Sequence, residues 1–104
     1  MSQAQSSATC VVVEEEVSFS LAQLCQASGA EADQVVILVQ EGVLTPSGSG
    51  PQDWQFQGPS LKRTLRVIRL ARDFELGLPG AALVMDLLEE IEALRARLQR
   101  AGIR

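Results

Sequence analysis

Between Ser20 and Gly42, short apolar stripes alternate with residues that stop helices. Leu21, Leu24 and Cys25 recur at helical spacing and give one buried face. Ser20 precedes that stripe and Gln23 follows three places later, the capping-box spacing in which each side chain satisfies a backbone donor of the other residue. Ser28-Gly29 ends the helix, Gly29 supplying the positive φ of a tight turn. A second helix is predicted from Glu31 to Glu41, with Glu31 and Asp33 near its positive amino end and Gly42 as its stop. Its middle, Val35-Val36-Ile37-Leu38-Val39, is rich in β-branched residues and would also suit a strand; the flanking signals favour the helix. Two short helices around a glycine turn make a helix-turn-helix.

Val43-Leu44-Thr45-Pro46 then leaves as extended chain, Ser47 to Pro51 forms a Gly/Ser tip, and Trp54-Gln55-Phe56 alternates as a short strand should. Together they predict a hairpin wing over about residues 43–57. Gly58-Pro59-Ser60 opens a third helix, expected to run to about Glu75 and to bury Leu61, Leu65, Ile68 and Phe74, with Val67 and Leu70 at its margins. Leu76 to Gly80 breaks the chain, Gly77 fitted to cap one helix and Pro79 to open the next. The last helix, Ala81 to about Arg100, places Val84, Leu87, Ile91, Leu94 and Leu98 at alternating spacings of three and four, the a/d seam of a coiled coil. Burying each seam residue is worth roughly 1.5–3 kcal/mol at most. The seam therefore needs a second subunit or a groove on its own domain, and a dimer is the expectation.

Ahead of this pattern, residues 1–10 are small and polar and predict a disordered tail, while Val11 to Val17 suggests an edge strand or extended arm. The chain of 104 residues is long enough for one domain with a helical extension. Its four aromatic residues, Phe19, Trp54, Phe56 and Phe74, leave packing mainly to aliphatic side chains. Met1 to Thr9 lacks the basic residues and apolar run of a secretory peptide, and no stretch reaches the length of a membrane span, so a cytoplasmic protein is expected. Cys10 and Cys25 are a poor disulfide framework, and a buried, inert Cys25 is the expectation.

Charge changes the picture most. The 61 residues before Lys62 contain seven carboxylates and no Lys, Arg or His; the rest carries all nine Lys/Arg against six carboxylates. A helix-turn-helix that reads DNA needs cations for the phosphates. Here the element that would enter the major groove offers Glu31, Asp33, Gln34, Gln40 and Glu41. The basic cluster Lys62, Arg63, Arg66, Arg69 and Arg72 lies on the third helix, where Arg69 with Asp73 and Arg72 with Glu75 are spaced for intrahelical pairing. With no His or Tyr, the usual general base and commonest metal ligand are absent. Glu14-Glu15-Glu16 and Glu89-Glu90 read as solvated faces, and Gly48-Ser49-Gly50 lacks the Lys and following helix of a phosphate loop. A non-enzyme without metal or cofactor is expected. An acidic helical surface suits docking of a basic protein helix.

Phe19-Ser20-Leu21-Ala22-Gln23-Leu24-Cys25, Gly29 and then Glu41-Gly42-Val43-Leu44-Thr45-Pro46 resemble the amino-terminal module of MerR-type regulators. Such modules carry Arg and Tyr just before the exit from the second helix; this chain has Val36-Ile37-Leu38-Val39-Gln40. With Trp54-x-Phe56, the run Arg66 to Gly80 and the Leu/Met-rich last helix, residues 17–100 are similar to the CbpM family of chaperone modulators, MerR-like proteins without the DNA-reading residues. The resemblance implies a mainly α fold: a MerR-like winged helix-turn-helix with a third helix over 11–76 and a coiled-coil-like dimerisation helix over 77–104. It also implies binding to the J-domain of a DnaJ-like co-chaperone, CbpA, blocking its stimulation of Hsp70 and suppressing its DNA binding. Charge alone nominates Glu31, Asp33, Glu41, Asp73 and Glu75 as partner contacts, and the seam residues as the homodimer interface. The alternative is a MerR-type transcription regulator that grips DNA through the third helix.

Overall fold

The computed structural model describes residues 17–102. In chain order these form β1 (Ser18–Phe19), α1 (Leu21–Ser28), α2 (Ala32–Gln40), β2 (Phe56–Gln57), α3 (Pro59–Asp73) and α4 (Leu78–Arg100). The expected tail over 1–10 and most of the Val11–Val17 arm lie outside the described residues.

Local chemistry fixes the helix pair. Ser20 Oγ accepts from the Gln23 N–H at 3.2 Å while Gln23 Oε1 accepts from the Ser20 N–H at 2.8 Å, a complete capping box. Gly29 adopts φ 81° at the carboxyl end of α1. Ser28 Oγ donates to the Leu24 carbonyl at 2.7 Å and accepts from the Ala30 N–H at 3.2 Å, bracing the turn. At the start of α2, Gln34 Oε1 accepts from the Glu31 N–H at 2.9 Å. The β-branched middle of α2 is helical because Val35 and Leu38, three apart, are both fully buried on one face.

The wing differs from the expected hairpin. Only Ser47 and Gln55 bridge, through backbone bonds of 3.1 and 3.0 Å. Val43 and Leu44 are buried in the core rather than paired with Trp54-Phe56. Phe56 is also fully buried, so β2 turns inward and pairs antiparallel with β1, Ser18 opposite Gln57 and Phe19 opposite Phe56. Trp54 meets Phe56 edge to face at 5.8 Å. At the tip, a Cβ on Gly48 would lie 2.5 Å from the Asp53 carbonyl oxygen, so only glycine fits there.

α3 is rotated relative to the sequence reading. Its buried positions are Thr64 and Val67, flanked by Leu61, Ile68 and Ala71 packed against the core; Leu65 is 42% exposed and Phe74 66%. Thr64 is buried without penalty because its Oγ1 donates to the Ser60 carbonyl at 2.7 Å. Phe74 lies beyond the last turn and faces outward, since α3 ends at Asp73 in a Schellman motif: Leu76 N–H to Ala71 carbonyl at 2.8 Å, with Glu75 at φ 54°. Glu75, not Gly77, takes the left-handed position. Gly77 is extended and precedes α4, which starts at Leu78 rather than Ala81, with Pro79 in its first turn.

α4 packs along α3 and touches α2, burying Ala81, Ala82 and Met85. The small alanines let the helix axes approach. Val84 is half-buried on this inner side, whereas Leu83, 59% exposed, extends the outer stripe of Leu87, Ile91, Leu94 and Leu98. The exposed stripe therefore begins at Leu83 and not at Val84. No helix among the described residues is long and apolar enough to cross a membrane.

Candidate functional site

The five nominated carboxylates are all exposed and occupy three places. Glu31 precedes α2 and Asp33 lies in its first turn; Glu41 caps the other end; Asp73 and Glu75 stand at the α3–α4 corner. A nine-residue helix is about 14 Å long, so α2 carries acid at both ends of that span. Between them its outward positions hold no cation, as the sequence requires.

The cations of α3 are arranged differently from the sequence reading. Arg63 Nε donates to the Val43 carbonyl at 2.8 Å, and its Nη1 pairs with Glu89. Arg66 Nη2 meets Glu92 Oε2 at 3.2 Å. Both pairs join α3 to α4, so Glu89 is a structural partner rather than a solvated acid. Arg72 pairs with its neighbour Asp73 at 3.3 Å, in place of the expected Arg72–Glu75 and Arg69–Asp73 pairs. Sequence spacing along one helix could not reveal these bonds, because their acidic partners lie 26 residues away on α4. The consequence is functional. Two of the five basic side chains that could have gripped phosphate hold two helices together.

Sequence reasoning missed a cleft of about 660 Å³ between α1, the start of α2 and the wing tip. Leu21, Ala22 and Cys25 line one wall, Ala30, Glu31 and Ala32 another, with Pro51 and Gln52 above. Cys25 is partly exposed in this cleft rather than buried. Burial, and then the nearby charge of Glu31, push its thiol pKa upward, so at neutral pH it is a protonated, weak nucleophile. No group of His, Cys, Asp and Glu among the described residues is arranged to hold a metal ion.

A small sheet-braced helix pair with a vestigial wing, carrying acids where a DNA reader carries cations, defines the class. The model of MerR HTH family regulatory proteins matches residues 19–101. Within that class, the chain is 36% identical over 80 residues to the chaperone modulatory protein CbpM of Pseudomonas putida (strain GB-1), covering 77% of this chain and 79% of that protein. The corresponding protein of Coxiella burnetii (strain Dugway 5J108-111) is 32% identical over 89 residues, 86% of this chain and 84% of its own length. The chain belongs to the CbpM family of chaperone modulatory proteins, and its mainly helical, MerR-like fold agrees with that membership.

Proposed function

We propose that the protein modulates a chaperone by binding the J-domain of a DnaJ-like co-chaperone, CbpA, and competing there with Hsp70; the same binding would suppress the co-chaperone's contact with DNA. Family membership supports the chaperone-modulating role, and a non-enzymatic one. The observation that carries the finer reading is the acidic α2: the element placed to read DNA displays Glu31, Asp33 and Glu41 and no cation. A basic helix, such as the one a J-domain presents to Hsp70, meets favourable potential there, which speeds encounter and fixes orientation. In the same reading α4 is the homodimer surface. Its middle carries Asp86, Glu89, Glu90 and Glu92, its last turns Arg95, Arg97 and Arg100. With Glu89 and Glu92 paired to Arg63 and Arg66 of α3, Asp86 and Glu90 are the acids left to meet these cations in an antiparallel pair.

Titration calorimetry of the protein against an isolated J-domain tests the central claim, with a random DNA duplex as control. Binding that weakens with salt, and that falls about tenfold with slower association in a Glu31→Lys, Glu41→Lys protein, is the expected result. Steeply salt-dependent duplex binding without J-domain binding would instead make the protein a DNA-binding regulator.

A further inference from the structure

The acidic α2 explains attraction but not where a partner side chain would seat, and the cleft beside it answers that. Leu21, Ala22 and Cys25 on one wall, with Ala30, Ala32 and Pro51, give it a mainly apolar lining that Ser20 and Gln52 interrupt. Its single carboxylate is Glu31, the extended N-cap of α2, in a reciprocal capping box with Gln34. Glu31 forms no ion pair among the described residues, and from Val17 to Leu61 the sequence offers no cation that could form one. Aliphatic Leu21, Ala22, Ala32 and Pro51 beside one carboxylate that has no ion-pair partner among the described residues match a long side chain with a methylene stem and a cationic head.

We propose that this cleft seats a lysine or arginine side chain of the basic partner helix, its stem against Leu21, Ala22 and Cys25 and its cation at Glu31. This rests on the reading of α2 as the docking surface for a basic helix, and it names the anchoring pocket of that surface. The thiol pKa of Cys25, raised first by burial and then by the charge of Glu31, agrees with it, because that charge reaches the same cleft. Pro51 and Gln52 of the wing tip form the outer wall.

The thiol supplies the probe. In a Cys10→Ser protein Cys25 is the only cysteine, and its alkylation by a neutral maleimide can be timed with and without saturating isolated J-domain. Occupied by the partner's side chain, the cleft should slow alkylation at least tenfold. Ala22→Leu, at an exposed position, fills the cleft without altering charge and should weaken J-domain binding about tenfold, as should Glu31→Gln; Ala32→Leu narrows the cleft from the opposite wall and should act alike. Circular dichroism establishes that each variant is folded. A J-domain that binds Ala22→Leu and Ala32→Leu with unchanged affinity, and leaves the alkylation rate of Cys25 unaltered, would overturn the pocket while leaving the proposed function standing. No J-domain binding by the unsubstituted protein would overturn both.

Discussion

Glu75 shows how much one residue can decide. Both α2 and α3 end in the same motif: Val43 N–H bonds the Leu38 carbonyl at 2.9 Å after Gly42, and Leu76 N–H bonds the Ala71 carbonyl at 2.8 Å after Glu75. Glycine accepts the left-handed conformation freely, whereas a residue with a Cβ pays about 1 kcal/mol or more. Glu75→Gly should therefore raise stability by ~0.5–1 kcal/mol, once the extra freedom of glycine in the unfolded chain is counted, as a shift in urea midpoint. If Glu75 contacts a partner, the more stable variant will bind it less tightly. The sequence hid this arrangement because Gly77 looked the better cap; two residues nearer, the backbone had already turned. By contrast, Ser20 with Gln23, and Gly29 after Ser28, were legible because their bonds are local and involve few atoms. Arg63 lies at the opposite extreme. Its two bonds, to Val43 and Glu89, join positions 20 and 26 residues away.

Five of the seven large apolar side chains exposed among the described residues lie on α4. Leu87, Ile91, Leu94 and Leu98 are each 44–54% exposed, while from Ile91 onward only Ala96 is even half-buried. A helix end without packing is marginal in water, so a second copy along this stripe would both cover and stabilise it. Leu94→Glu should convert a dimer to a monomer in light scattering and fray the last turns of α4, with loss of helical ellipticity. A wild-type protein that scatters as a monomer at micromolar concentration would exclude this use of the stripe. Periodicity placed Leu87, Ile91, Leu94 and Leu98 on one face, and the helix exposes them together, since a regular helix preserves phase. Val84 is half-buried because α4 is also a core element there, and two demands on one helix cannot be separated from spacing alone. The same reason explains Leu65 and Val67 on α3: several apolar residues were available, and only the position of α4 selects which face turns inward.

At the scale of the whole molecule, charge and topology divide the chain at one place. Everything before the wing tip is acidic, and every cation follows it. The acidic character of the candidate surface was readable from composition, whereas the cleft was not, because it arises where the wing tip closes over α1 and no local pattern encodes that approach. Strand β1 precedes the helix pair and β2 follows the wing, yet they are neighbours, Ser18 against Gln57. The chain thus returns to its starting point after the wing, and the core is shared: Leu24, Val35 and Leu38 come from one side of the tip, Phe56, Val67 and Met85 from the other. This closure makes the protein divisible. Severed between Ser49 and Gly50, the polypeptide would yield an anionic piece holding α1 and α2 and a piece holding α3, α4 and all the cations, each with half of a sheet and half of a core. Co-expressed, the two should reassemble and co-purify, and neither should fold alone; pieces that fail to associate would show that covalent continuity through the wing is required. A pair that reassembles unaided would make this two-residue strand pairing the latch of a core built from two separate pieces.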